Sequence, residues 1–216
     1  HKFYTKPNRS GKAVEVRACN LKKGDKLIKL ETPLIDGSDK LSLAYENGFY
    51  SGDGCMVRGK SRVYLYGEKR SLFDKFSNKS SIVVQDDFNR TYFNVCGLKD
   101  KFFVPDCSFD VDSRVSWLAG LLDSDGCLLT SKEGTQSLQV ASAQMGFLQQ
   151  VQLMLHTLGV HSKITPACAE GVRKLPANNG TGGVKEYHCR ETKRLLVGAS
   201  GILKLLDLGL KCHRLN

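Results

Sequence analysis

Two stretches of this chain repeat one nine-residue pattern: Glu46-Asn-Gly-Phe-Tyr-Ser-Gly-Asp53-Gly54 and Leu118-Ala-Gly-Leu-Leu-Asp-Ser-Asp125-Gly126, each followed by a cysteine. In each, an apolar run with glycine at its third position (Gly48, Gly120) predicts a helix that a second helix can approach closely, because glycine has no side chain to hold the partner away. Each run ends at Asp-Gly, a turn-favouring dipeptide, so a carboxylate is expected at each helix end, ahead of a strand. Helices packed side by side about a pseudo-twofold axis would bring Asp53 and Asp125 together. Two adjacent carboxylates repel unless positive charge lies between them, and a hard divalent cation with oxygen ligands fits that place. A lone Asp-Gly is more often just a helix-ending turn. Repetition of the whole pattern at domain-scale spacing removes most of that simpler account.

The second copy resembles the motif of the LAGLIDADG homing endonucleases almost letter for letter, and the chain resembles the form with two repeats in one polypeptide. The first copy keeps the glycine, Phe49, Tyr50 and the final Asp-Gly but has Ser51 where the family usually has its first aspartate. The resemblance implies an α+β fold: two pseudo-twofold-related αββαββα halves form a saddle-shaped DNA-binding sheet in a monomer. It also implies Asp53 and Asp125 as metal ligands, the carbonyls of Gly52 and Ser124 adding to the shell, and Mg²⁺ as cofactor with Mn²⁺ able to substitute. Inteins of this family carry a lysine just before a proline upstream of the second motif, and another near the end. In Lys99-Asp-Lys-Phe-Phe-Val-Pro105 the match is Lys101, one residue further from the proline than usual, which leaves Lys99 open. Leu208-Gly-Leu-Lys211-Cys-His-Arg214 makes Lys211 the second candidate. Such lysines would polarise the attacking water or neutralise the scissile phosphate; either is otherwise an ordinary surface residue.

Three segments are expected: 1–36, 37–110 and 111–216. In the first, His1-Lys-Phe-Tyr-Thr5, the turn Pro7-Asn-Arg-Ser-Gly11, the alternating Ala13–Ala18 and Leu21-Lys-Lys-Gly-Asp-Lys-Leu27 predict short strands joined by turns. His-x-Phe-x-Thr followed by Leu-x-x-Gly-Asp-x-Leu resembles part of an intein splicing domain. The plainer account is a β-rich extension that packs on the core or binds DNA. An intein needs a nucleophile upstream of this histidine and a C-terminal His-Asn pair, so splicing is not expected of this polypeptide.

Further along, Val57–Tyr66 alternates, setting Arg58, Lys60, Arg62, Tyr64 and Tyr66 on one strand face against Val57, Val63 and Leu65. Glu68–Ser77 reads as a short helix and Thr91–Cys96 as a strand. In Thr135–Ala141, Ser137 and Gln139 oppose Leu138 and Val140. Met145–Leu158 is the clearest helix, with Phe147, Val151, Met154, Leu155 and Leu158 as a core stripe. Residues 169–185, rich in Gly, Asn and Lys, read as a mobile loop. Taken singly, a polar strand face is a solvated surface. Here two hairpins follow the two Asp-Gly turns, so twofold packing would set both faces on one concave surface beside the carboxylates. Arginine or lysine reads guanine and glutamine reads adenine in the major groove. Arg58, Lys60, Arg62, Tyr64, Ser137 and Gln139 are therefore the candidate DNA contacts. The expected partner is double-stranded DNA with a long target, asymmetric because the halves differ.

A net charge of +10 over 216 residues fits a polyanionic partner. No apolar run has transmembrane length and no secretory leader is evident, so no membrane role is expected. The eight cysteines form no CxxC pair and no zinc-finger spacing. They are read as reduced thiols of an intracellular protein, nuclear or cytoplasmic according to its host, with Cys55 and Cys127 as half-buried strand starts. The expected function is a site-specific, metal-dependent endonuclease that makes a double-strand break at an intein-less allele. The alternative is a cleavage-inactive nucleic-acid-binding relative, maturase-like or decayed. Retention of two mutually repelling acids favours the enzyme.

Overall fold

A computed structural model describes residues 1–6, 12–28, 32–86, 90–176 and 183–215. The chain divides into two compact units, His1–Thr32 and Pro33–Asn216. In the first, β1 (Lys2–Thr5) pairs antiparallel with β2 (Val14–Arg17), Lys2 opposite Arg17, and Thr5 bridges to Leu27. Short strands are present where the alternation places them; the Pro7–Gly11 turn lies outside the described residues.

The second unit contains the repeat. Helix α1 (Ala44–Asp53) leads into β3 (Gly54–Val57) and β4 (Lys60–Tyr66), then a 3-10 segment (Gly67–Lys75), β5 (Lys79–Asp86) and β6 (Arg90–Val95). Helix α2 (Val111–Asp125) leads into β7 (Gly126–Thr130), β8 (Gln136–Ser142), α3 (Met145–Thr157), β9 (Ser162–Cys168), β10 (Gly171–Pro176), β11 (Val184–Cys189), β12 (Thr192–Gly198) and α4 (Ala199–Asp207). Two four-stranded antiparallel sheets run β3-β4-β6-β5 and β7-β8-β12-β9, so each motif helix opens the same strand order.

The halves diverge in their fillings. Where a short helix was expected at Glu68–Ser77, the chain forms a 3-10 segment. Only Leu72 in it and Phe76 just beyond it are buried, too few apolar positions to hold an amphipathic α-helix against the sheet. Among the described residues no helix closes the first half, whereas α3 and α4 complete the second. The stretch expected as a mobile loop, 169–185, is largely a ribbon: β10 pairs with β11 in register from Gly171–Cys189 to Pro176–Val184. Val172, Leu175, Val184 and Tyr187 supply strand propensity that the glycine and asparagine count concealed. Residues 177–182 of that stretch lie outside the described residues.

Local chemistry fixes α2. Asp110 caps its first turn, accepting from the Ser113 amide at 2.8 Å, and that hydrogen bonding holds its carboxyl below the usual carboxylate range. Helix α3 buries Phe147, Val151, Met154 and Leu155 of the predicted stripe, and Leu158, which caps its C-terminal end, is buried with them. These join Trp117, Leu121 and Leu122 of α2 and Val140, Leu195 and Val197 of the second sheet in one core. A second core gathers Phe49 and Tyr50 of α1 with Val63, Leu65 and Phe93. Helices α1 and α2 meet reciprocally. A Cβ on Gly48 would strike the Trp117 carbonyl, and one on Gly120 would strike the Tyr45 carbonyl. Each backbone occupies the space the other's glycine leaves free, as the repeat predicts.

Candidate metal centre and nucleic-acid interface

The two motif helices end at Asp53 and Asp125, side by side. A Cβ on Gly52 would collide with the Ser124 side chain and stand 2.9 Å from Asp125 Cγ, so the Asp125 carboxyl lies against the last turn of α1. The glycines that follow are not left-handed turn residues, as Asp-Gly suggests. Gly54 (φ −109°, ψ 161°) and Gly126 (φ −73°, ψ 150°) are extended and pass directly into strands. Glycine is needed there for space: a Cβ would enter the Tyr50 ring at Gly54 and crowd the Leu122 backbone at Gly126.

Burial, followed by the charge of Asp53, pushes the Asp125 carboxyl above its ordinary pKa, against the opposing pull of Lys69, Lys101 and Arg214. Asp125 is nonetheless exposed to solvent, which tempers the effect. Asp53 carries its own counter-ion, Lys69, with Nζ 2.5 Å from Oδ2. Lys101 reaches the same junction, donating to the Gly52 carbonyl at 2.9 Å and to the Gly54 carbonyl. Desolvation draws its ammonium below the ordinary lysine value, while Asp125, Cys55 and Asp53 oppose that shift. Of the two lysines left open, only Lys101 arrives here. Lys99 presents its backbone amide to Asn47 Oδ1 at 2.7 Å and lays its ammonium 5.9 Å from the Phe103 ring centroid.

At the second helix end the arriving cation is Arg214. Its guanidinium donates to the carbonyls of Asp123 (2.6 Å), Leu122 (2.9 Å) and Gly126 (2.5 Å). Lys211 instead is exposed and lines a surface pocket with Tyr45, Lys75, Asp112 and His213. The reason lies in Asp123, the first aspartate of the second motif. It is fully buried and accepts from the Tyr45 hydroxyl at 2.8 Å and from the amides of His213 and Arg214 at 2.8 and 2.9 Å. That grip sets the register of the C-terminal segment, and position 214 falls at the helix end. In the first copy, Ser51 only donates to the Asn47 carbonyl at 3.1 Å, and Asn47 holds the lysine-bearing loop through the Lys99 amide.

The donor set suits a hard ion. It offers two carboxylates at one junction, and among the described residues no group of three or more His, Cys, Asp or Glu is placed to hold a metal. Mg²⁺ is commonly held by one or two carboxylates and completes its shell with water and phosphate oxygens, whereas zinc needs a fuller nitrogen and sulfur set. The Gly52 carbonyl is engaged by Lys101. Ser124 directs its hydroxyl to the Leu121 carbonyl at 2.8 Å.

On the outer face of the first sheet, Arg62 donates to Asn94 at 3.1 Å, and its guanidinium lies 4.9 Å from the Tyr92 ring centroid. Tyr64 packs between Tyr92 (5.6 Å) and Tyr66 (6.1 Å), and Lys60 opens the strand, exposed. Arg58 departs from the alternation. With φ +49° beside Gly59 at +73°, it is the first of two left-handed residues in the β3–β4 turn, whose backbone twist matches the flanking strands. On β8, Ser137 and Gln139 face outward opposite buried Leu138 and Val140, as expected. Gln139 Oε1 is enclosed without a hydrogen-bond partner. Cys55 is half-buried beside the Tyr64 hydroxyl, 3.8 Å from its Sγ, whereas Cys127, at the equivalent position of edge strand β7, is exposed. Sequence reading missed Lys69, Arg214 and the β6 residues Arg90, Tyr92 and Asn94; the alternation of Arg90–Val95 marks the last three. No helix among the described residues is long and apolar enough to cross a membrane.

Residues 112–208 match the family model described as a LAGLIDADG-like domain. The chain is 36% identical to the ribonucleoside-diphosphate reductase large subunit of Invertebrate iridescent virus 6, across 98% of this chain and 22% of that protein. It is 26% identical to the ribonucleoside-diphosphate reductase NrdEB subunit alpha of Bacillus subtilis (strain 168), across 91% of this chain and 21% of that one. It thus spans about a fifth of the length of these relatives. Among solved structures, a mesophilic variant of the homing endonuclease I-DmoI aligns with a TM-score of 0.45 and 15% identity, covering 79% of this chain and 95% of that one.

Proposed function

We propose that the second unit is a site-specific, metal-dependent DNA endonuclease, part of an intein within a ribonucleotide reductase large subunit. On this reading it cleaves the intein-less allele of that gene. The observation that carries the proposal is the meeting of two Asp-Gly helix ends, with like carboxylates held together amid Lys69, Lys101 and Arg214. A merely structural helix pair gains nothing from that repulsion. The reductase relatives support the host, since a fold of this kind within a reductase chain has the placement of an intein. The first unit, with its His-x-Phe-x-Thr strand, fits a piece of the splicing domain.

Asp53 and Asp125 would hold Mg²⁺, with Mn²⁺ able to substitute and the Gly52 and Ser124 carbonyls as further donors. Bound there, the ion supplies Lewis acidity and a water activated at neutral pH. The chain's own groups do the rest. Lys101 and Arg214 brace the two helix ends and place positive charge where the phosphate gains negative charge in the transition state. Arg62, Lys60, Tyr64, Ser137 and Gln139, with Arg58 from the hairpin turn, face the groove of a long double-stranded target. The first outer face carries Arg62, Arg90, Tyr64 and Tyr92, whereas the second mixes Ser137 and Gln139 with Arg194, Lys163 and Leu196, so the two half-sites should differ. The protein acts as a monomer inside the cell.

The test is incubation of the protein and Mg²⁺ with linear DNA carrying the uninterrupted reductase gene; a unique double-strand break is expected, and none in the intein-bearing allele. Tight binding with both strands intact in Mg²⁺ and Mn²⁺ would assign the chain to the cleavage-inactive relatives. Arg62→Ala should weaken binding by about 1–3 kcal/mol and relax preference at one base pair, read by competition against single-position variants of the site. A uniform loss across all sequences would place Arg62 on phosphate instead. Arg214→Ala should slow cleavage by about 10²-fold, whereas Lys211→Ala should leave the rate within a small factor. Single-turnover rates under saturating metal distinguish the two.

A further inference from the structure

The two acids are not electrostatic equals, and the cause lies outside the repeated motif. Asp53 is neutralised by Lys69 across 2.5 Å, and both side chains are largely withdrawn from water, Lys69 at 19% and Asp53 at 17% exposure. Lys69 comes from the 3-10 segment that follows β4. That segment is tied to the second helix end as well, since Glu68 lies 3.8 Å from the Arg214 guanidinium. The corresponding connection of the second half, from Ala143 through α3 to Thr157, contains no lysine or arginine. No internal cation can therefore reach Asp125 from the equivalent place, and among the described residues no ion pair like that of Lys69 with Asp53 is made to Asp125, which stands exposed.

We propose that Lys69 is a built-in counter-ion that holds the cation position of Asp53 until a divalent metal displaces it, making the two carboxylates unequal metal ligands. This rests on the endonuclease reading of the same centre. A metal binding at Asp53 must break a shielded ion pair, whereas one binding at Asp125 breaks none, so the ion enters first on the Asp125 side. Once displaced, the Lys69 ammonium lies beside the junction, free to pair with an incoming phosphate. The latch thus opens when metal and DNA arrive together, and two strands served by unequal sites should be nicked in a fixed order.

The experiment is calorimetric titration of the DNA-free, full chain with Ca²⁺ alone, comparing wild type with Lys69→Met, Lys69→Arg and Lys132→Met. Loss of the latch in Lys69→Met should tighten Ca²⁺ binding by about tenfold. Lys69→Arg, which keeps the charge, should stay near wild type, and Lys132→Met, which removes an exposed charge from the β7–β8 turn, controls for net charge. Melting curves with and without Ca²⁺ cover the case in which Lys69→Met folds poorly. The variant should then gain more thermal stability from Ca²⁺ than wild type does. Equal Ca²⁺ affinity and equal thermal gain in wild type and Lys69→Met would overturn the latch, as would equal tightening in Lys132→Met. Absence of DNA cleavage together with the expected Ca²⁺ result would sink the nuclease reading and leave the latch standing.

Discussion

Asp53→Asn and Asp125→Asn should each reduce double-strand cleavage by about a thousandfold while leaving affinity for the target nearly unchanged. The amide preserves volume and one acceptor oxygen but removes the charge that makes the junction a cation site. Binding survives because the groove-facing side chains sit on the sheets, away from the helix ends. The two variants should differ in stability. The folded-state pKa of Asp125 is raised, so the native state holds its proton more tightly than the unfolded chain does. Stability is therefore lost as pH climbs from the unfolded value through the raised folded one, and at neutral pH the ionised carboxylate is a net cost. Asp125→Asn removes that cost and should melt slightly higher than wild type at pH 7, with the gain fading toward pH 4. Asp53→Asn strands Lys69 without its partner and should melt lower. Gel assays of cleavage, filter binding in Ca²⁺ and melting curves between pH 4 and pH 8 read all three quantities. Retained cleavage in either variant would remove that carboxylate from the chemistry.

What the sequence disclosed followed from constraints that repeat. A helix pair in backbone contact demands glycine at matched positions, and sheets covered on one face demand alternation, so Gly48, Gly120, the acids and the faces of β4 and β8 were legible. Groups that act across the repeat were not. Lys69 sits in Glu68-Lys69-Arg70, a charge run that reads as solvated surface, and only the fold returns it to Asp53. Lys211 stood out through its family pattern, yet the grip of Asp123 on the amides of His213 and Arg214 sets the register three residues later. Arg58 matched the strand alternation in sequence, but Gly59 beside it permits a two-residue turn that no periodicity counts. The β10–β11 ribbon escaped because the glycines and asparagines of residues 178–183, between its strands, dominate the local composition, while a few spaced apolar residues in the strands set the pairing.

Gly120→Ala should be among the most damaging single-methyl changes in the chain. The added Cβ would occupy the position of the Tyr45 carbonyl and crowd the Phe49 amide, both backbone atoms of α1 that cannot rotate aside as a side chain can. Relief requires the helices to part along their length. That would loosen Trp117, Leu121 and Phe49, all fully buried, and draw Gly52 away from Asp125. A cost of about 3 kcal/mol is expected, at the upper end for overpacking, since the obstacle is main chain. Gly48→Ala should cost about as much, because the contact with Trp117 is its mirror image. Gly146→Ala supplies the contrast. Gly146 lies in the first turn of α3, where a Cβ would meet nothing within 4 Å, so the change should stabilise the protein by up to about 1 kcal/mol through helix propensity alone. Urea unfolding of the three variants measures the differences directly. If Gly120→Ala and Gly146→Ala shifted stability alike, the glycines of the motif would be helix residues of no special placement, and the close approach that brings Asp53 to Asp125 would lose its cause.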